Sequence, residues 1–257
     1  MSWTRKYEGA EPQRINKWLA QAGVCSRREA EALIEAGAVL IDGERVEDVG
    51  RKIAPGQTLT LADRGEAELG AAISVVVHKP MGIVSAQPEG SQVPAARLLK
   101  REAQAGAGLV PSSKASLAPL GRLDQDSRGL LILSEDGVLA KAVIGPDSKV
   151  DKEYVVTVKG RITRDKIGLL RHGLELDGRK LKPAKVKLED TQVLRFVLAE
   201  GRNRQIRRMC ELVELEVVDL VRVRIGPVEL GDLPEGKWRH LRADERKALI
   251  AASAPRA

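Results

Sequence analysis

Gly23, Ser26, Gly37 and Asp42-Gly43 divide residues 14–46 into segments that fit two short helices and a hairpin and little else. Residues 14–22 place Ile15, Leu19 and Ala22 on one helical face, and Gly23 stops the run. Ser26-Arg27-Arg28-Glu29 has the spacing of a capping box, in which the serine hydroxyl and the glutamate carboxylate each satisfy a free backbone amide. It opens a second helix with Ala30, Leu33 and Ile34 inward and Gly37 as its stop. Val39-Leu40-Ile41, Asp42-Gly43 and Arg45-Val46 then read as strand, tight turn and strand. A module of this size is complete in itself, so the 257-residue chain is expected to hold two domains.

The expected division is a flexible lead-in over 1–12, the module over 13–62, a glycine-containing charged linker over 63–72, a larger domain over 73–247 and a tail over 248–257. From Leu117 onward strand-like and helix-like segments alternate without a βαβ rhythm, which predicts an α+β fold with a mixed, largely antiparallel sheet. Residues 102–116 are low in complexity and are expected to form a surface loop. With only six aromatic residues, the core must be built from aliphatic side chains, and stacking of several exposed bases is not expected.

The net charge of +7 favours a polyanionic partner. Residues 1–62 contain nine Lys or Arg and nine Asp or Glu, so the whole excess lies beyond them. Cys25 and Cys210 make no disulfide framework, and no His or Cys spacing suits a metal. No apolar run of membrane-spanning length occurs, so a reduced cytoplasm is the expected compartment, with no membrane partner.

Three later segments carry the chemistry. The first is the strand and turn Val77-His78-Lys79-Pro80-Met81-Gly82. The second is Gly121-Arg122-Leu123-Asp124-Gln125-Asp126-Ser127-Arg128-Gly129, followed by Leu130-Leu131-Ile132-Leu133. The third runs from Gly201 to Cys210 and puts Arg202, Arg204, Arg207 and Arg208 within seven residues. Beyond it, Arg222 and Arg224 alternate with Val221, Val223 and Ile225, predicting one apolar and one cationic strand face beside that helix. Taken alone, each segment has an ordinary reading as well: Asp124 and Asp126 as turn formers or surface ion pairs, Tyr154 as strand core, Arg207 as a structural partner, His78 as packing and Lys79-Pro80 as a turn. Asp136-Gly137 is expected to end a strand and cap the following helix.

The stretch from Arg14 to Val46 resembles the S-four-type RNA-binding domain, a resemblance that implies RNA contacts from Arg14, Lys17, Arg27 and Arg28. GRLDQDSRGLLILSEDG, the triplet Lys152-Glu153-Tyr154 and GRNRQIRRMCE together resemble the ribosomal RNA pseudouridine synthases that carry such a domain, the group of small-subunit type A and large-subunit types B, E and F. The wording NRQIRRMCE is most similar to the large-subunit type F enzymes. The resemblance implies isomerisation of uridine to pseudouridine in rRNA, with large-subunit rRNA as the expected substrate and small-subunit rRNA or tRNA as alternatives. It implies that Asp124 is the essential carboxylate, that Arg207 pairs with it, and that Tyr154 packs against the target base. Arg122 is placed near the vacated stack, with Arg202, Arg204 and Arg208 as further RNA contacts. Nothing local chooses Asp124 over Asp126. The reaction breaks a C–N glycosidic bond and rejoins the base through carbon, without redox or energy input, so no cofactor or metal is expected. Whether the carboxylate acts on the sugar or on the base stays open. The protein is expected to act as a monomer. The rival readings are a non-catalytic RNA-binding assembly factor and, weakly, a retaining glycosidase built on Asp124 and Asp126.

Overall fold

A computed structural model describes residues 3–63, 65, 67, 72–113 and 115–253. Two compact units emerge: the described residues up to Ile73 with Ser134–Lys141, and Ser74–Leu133 with the described residues from Ala142 onward.

In the first unit, α1 (Ile15–Gln21) and α2 (Arg27–Glu35) bury Ile15, Leu19, Ala30, Leu33 and Ile34 against a four-stranded sheet of β1 (Thr4–Lys6), β2 (Val39–Ile41), β3 (Glu44–Arg45) and β4 (Thr58–Leu61). Ser26 and Glu29 form the expected capping box, with Glu29 N donating to the serine hydroxyl at 3.2 Å and Ser26 N donating to the glutamate at 2.5 Å. Gly37 lies past the helix end with φ of 65°, a conformation that suits glycine. In the hairpin of Val39–Ile41 with Glu44–Arg45, Asp42 and Gly43 both have positive φ, as a two-residue turn matching strand twist requires.

The described part of the expected lead-in, from Trp3, is packed onto the module. Residues Thr4–Lys6 form a strand paired antiparallel with Thr58–Leu61, and Tyr7 is buried in an edge contact with Trp18, ring centres 5.3 Å apart. The strand is held by main-chain bonds to residues more than fifty positions away, which leave no trace in a short polar segment. Most of the expected 63–72 linker lies outside the described residues. The Asp136 carboxylate accepts from Val138 N and Leu139 N, both at 2.9 Å, and so caps the helix as expected.

The second unit is built on a mixed, largely antiparallel sheet. In chain order its main strands are β5 (Ser74–Lys79), β6 (Arg128–Ser134), β7 (Lys152–Lys159), β8 (Lys185–Asp190), β9 (Val193–Leu198), β10 (Glu216–Ile225) and β11 (Trp238–His240). They lie in the order β8-β9-β7-β10-β6-β5-β11. β6 is parallel to β10 and buried on both faces, which explains its unbroken apolar run. Gly129 makes their close approach possible, since a Cβ there would lie 2.3 Å from the Arg222 carbonyl. Helices α3 (Gly137–Ile144), α4 (Arg164–Arg171), α5 (Gln205–Leu212) and α6 (Ala243–Ala252) complete the chain. α6 runs through the start of the expected tail, with Leu249 fully buried; residues 254–257 lie outside the described residues.

The described residues of 102–116 form a largely exposed loop, anchored where Ala105 N donates to the Trp238 carbonyl at 2.7 Å.

Candidate active site

The loop Gly121–Ser127, which leads into β6, is fixed from two sides. From the turn after β5, Ser85 Oγ donates to the Leu123 carbonyl at 2.7 Å and accepts from Leu123 N at 2.8 Å, while Gly82 N donates to the Gln125 carbonyl at 2.8 Å. From β10, the Arg222 guanidinium donates to the carbonyls of Leu130 (2.7 Å), Gly121 (2.9 Å) and Arg122 (3.4 Å). Arg222 is 1% exposed, so the expected cationic outer face of β10 is corrected. It does not share a face with Arg224: the β7–β10 ladder slips by one residue here, so Arg222 lies opposite Tyr154 on the inward face and Arg224 opposite Glu153 on the other. Arg224 is itself held by Asp151 and Glu153 at 2.8 and 2.7 Å. A guanidinium can be buried there because three backbone oxygens meet its planar donor fork.

Held this way, Asp124 lines a cleft of about 1050 Å³, shared with Arg122, Leu123, Lys152, Tyr154 and Arg207. Its side chain is 36% exposed, and its cation neighbour is Arg204, at 3.8 Å. Asp126, two residues on, is not part of the cleft lining. Arg204 binds it through two nitrogens at 3.1 and 2.9 Å, and Arg207 Nε stands 3.3 Å from it. Burial raises the Asp126 carboxyl, but the Arg204 hydrogen bond and the charges of Arg207 and Arg204 outweigh this and hold it below the usual carboxylate range. Of the two carboxylates that sequence could not separate, Asp126 is committed to the scaffold and Asp124 faces the cleft.

The expected pairing of Arg207 with Asp124 is therefore corrected. Arg207 is buried, donates to the carbonyls of Asp126 (2.7 Å) and Val217 (3.2 Å), and makes its ion pair with Asp126. Its position on the first turn of α5 aims it at the loop backbone rather than at the Asp124 side chain. Arg204 precedes this helix in a left-handed conformation, φ 47° and ψ 33°, which for a non-glycine residue costs on the order of 1 kcal/mol. The bidentate bond to Asp126 offsets that cost and directs the guanidinium toward both aspartates.

Tyr154 on β7 is 8% exposed and lines the cleft, so it belongs both to the core and to the site. The β7–β10 ladder slips its register between Glu153 and Tyr154 and sets Tyr154 opposite Arg222, and such irregularities re-aim side chains beside active sites. Arg122 is exposed at the cleft, as expected of an RNA contact. Arg202 and Arg208 differ from expectation. Arg202 donates to the carbonyls of Leu176, Arg179 and Lys180, and Arg208 makes two bonds to Asp177 at 2.9 and 2.6 Å. Both support the hairpin of Glu175–Leu176 with Arg179–Lys180, a partner far from them in sequence. In the first unit, Arg14, Lys17, Arg27 and Arg28 are all exposed and enter no ion pair among the described residues. The two cysteine thiols are buried, and burial pushes both up to about 12, so neither is a nucleophile.

Sequence reading missed two lysines. Lys79 is fully buried, donates to the carbonyls of Pro80 and Ile83, and is brought down to about 8 by burial and by Arg222. Lys152 lines the cleft beside Tyr154. Beyond its place in the Lys152-Glu153-Tyr154 triplet, the sequence signal for it was its i, i+2 relation to Tyr154, which puts both on one face of a strand.

The sequence matches the RNA pseudouridylate synthase family over residues 73–212 and the S4 domain over residues 13–59. It is 38% identical over 236 residues to the dual-specificity RNA pseudouridine synthase RluF of Escherichia coli (strain K12), covering 90% of this chain and 76% of that one. It is 33% identical to the ribosomal large subunit pseudouridine synthase B of Bacillus subtilis (strain 168), covering 93% of this chain and 96% of that one. A solved structure described as a pseudouridylate synthase superposes with a TM-score of 0.64 at 25% identity, over 93% of this chain and all of the other. The Gly121–Ser127 loop, Tyr154 and the start of α5 all fall inside the matched region, and the chain belongs to the RNA pseudouridylate synthase family, in the branch that carries an N-terminal S4 domain.

Proposed function

We propose that this protein isomerises uridine to pseudouridine in large-subunit ribosomal RNA, acting in the cytoplasm as a monomer and using the Asp124 carboxylate without a cofactor. The observation that carries the reading is the contrast between the two aspartates: Asp126 is bound by two arginines, whereas Asp124 faces a cleft wide enough for an extruded nucleotide. Flipping the uridine costs a few kcal/mol, returned by contacts in the pocket. Tyr154 packs against the base and is placed to move the proton lost from its carbon-5. Asp124 attacks or stabilises the anomeric carbon, or adds to the base. Arg207 and Arg204 act by holding Asp126 and the loop, so that the Asp124 carboxylate is pre-oriented. The relatives named for RluF and for the large-subunit type B enzyme support the large subunit as substrate.

The test is direct conversion. Purified protein incubated with unmodified 23S and 16S rRNA transcripts is expected to produce pseudouridine at one or a few 23S positions, read by chemical strand-break mapping. No conversion in either transcript, together with tight RNA binding, favours the non-catalytic assembly factor instead.

The first unit is assigned to RNA docking, because Arg27 and Arg28 stand exposed at the opening turn of α2, where free amides already favour an anion. Arg27→Ala with Arg28→Ala is expected to weaken 23S binding about tenfold and to lower the slope of log affinity against log salt by roughly 1.5, two phosphate contacts' worth. Single-turnover conversion at saturating RNA should change little. An unchanged salt slope rejects this docking face.

A further inference from the structure

Lys152 stands out among the buried and half-buried cations of the cleft because the protein leaves its ammonium largely unanswered. Its Nζ makes one long hydrogen bond, 3.3 Å to the Val150 carbonyl, and joins no ion pair among the described residues. By contrast, the cations packed around the loop are more fully engaged: Arg222 donates to three carbonyls, Arg207 donates to two carbonyls and forms an ion pair with Asp126, and Lys79 donates to two carbonyls. Lys152 also lines the same cleft as Asp124. Its Cε lies 3.4 Å from where a Cβ on Gly121 would sit, three residues before Asp124, and it shares the β7 face with Tyr154.

The charged groups acting on it are Arg222 on β10 and Asp151, the residue before it, whose carboxylate is turned to Arg224, while Arg122 and Asp124 line the same cleft. Two half- or fully buried cations thus stand side by side with no carboxylate committed to Lys152. The spare donors face a space that must receive a nucleotide, and the nucleotide group that answers an ammonium is a phosphate.

We propose that Lys152 binds the backbone phosphate flanking the flipped uridine and so positions the ribose over Asp124. The inference rests on the Asp124 cleft being where the uridine reacts. In the free protein, burial and then Arg222 hold the lysine down to about 8. An arriving phosphate favours the charged form and raises it. Binding therefore takes up the proton form, and affinity is full below about pH 8 and declines as pH rises through that value.

The experiment uses the full-length protein and an unmodified 23S rRNA transcript, with Asp124→Asn as the inactive control. Lys152→Gln is expected to raise KM about tenfold, the effect of one charge-assisted hydrogen bond, while kcat falls less than about threefold. The slope of log affinity against log salt should fall by about 0.7–0.9, one phosphate contact. The alkaline decline in kcat/KM should vanish from Lys152→Gln, and in Lys152→Arg it should move to higher pH with KM restored. A wild-type salt slope and KM in Lys152→Gln overturn the proposal. So does a loss confined to kcat, which marks a contact to the base or support of the loop. If Lys152→Gln does not fold, Lys152→Arg decides: a pH profile identical to wild type overturns the proposal. Should the wild-type protein convert no uridine, the salt slopes still report on Lys152, and it is the functional reading that fails.

Discussion

Asp124→Asn is expected to lower pseudouridine formation by at least about 10³-fold, a transition-state loss of roughly 4 kcal/mol, while RNA affinity stays within about threefold of wild type. The substitution keeps shape and volume and removes only the charge and basicity that either chemical route requires. Affinity is spared because phosphate contacts dominate it and Asp124 supplies none. Asp126 cannot take over: it lies outside the cleft lining and is held by Arg204 and Arg207. The informative companion is Asp126→Asn, which should damage activity less and stability more, since it breaks the ion pairs that Arg204 and Arg207 make with the loop. Measured by single-turnover conversion of 23S transcript, a reversed order, with Asp126→Asn silent in stability and dead in activity, would exchange the two assignments.

Arg222→Met should produce the largest structural effect. The methionine fills much of the volume, but the carbonyls of Gly121, Arg122 and Leu130 lose their donor in a site that is 1% exposed. Each buried oxygen left unpaired costs about 1–3 kcal/mol, partly offset because a buried charge no longer has to be desolvated. A net loss of about 2–4 kcal/mol follows, which for a chain of this size lowers the unfolding midpoint by roughly 5–15 °C. Because the same bonds fix the residues just before Asp124, turnover measured well below the new midpoint should also fall, on the order of 10²-fold, the effect of displacing a catalytic group by about 1 Å. Arg222→Lys should rescue neither, since a single ammonium cannot span three carbonyls. Thermal unfolding followed by circular dichroism and conversion at 20 °C check both halves; a Tm within 2 °C of wild type contradicts the buried anchor.

What was legible in the chain was local. The capping box at Ser26 and Glu29, the stop at Gly37, the Asp42-Gly43 turn and the Asp136 cap all depend on atoms within four residues of one another, so spacing alone determines them. The two-part organisation followed from those signals, and the family was written in three short motifs. The alternation of β10 predicted Arg222 and Arg224 on one face, but a register slip against β7 puts them on opposite faces, and that slip is set by a strand far away in sequence. The Thr4–Lys6 strand, the hairpin supports made by Arg202 and Arg208, and the transfer of Arg207 from Asp124 to Asp126 were invisible for the same reason. An arginine donates to whichever oxygens the fold brings to it, and backbone carbonyls have no residue identity that a sequence could record. The chain by itself therefore determined which side chains were available for chemistry. Only the tertiary structure decided which carboxylate was left facing the cleft, because that depends on how many cations the fold places around each one.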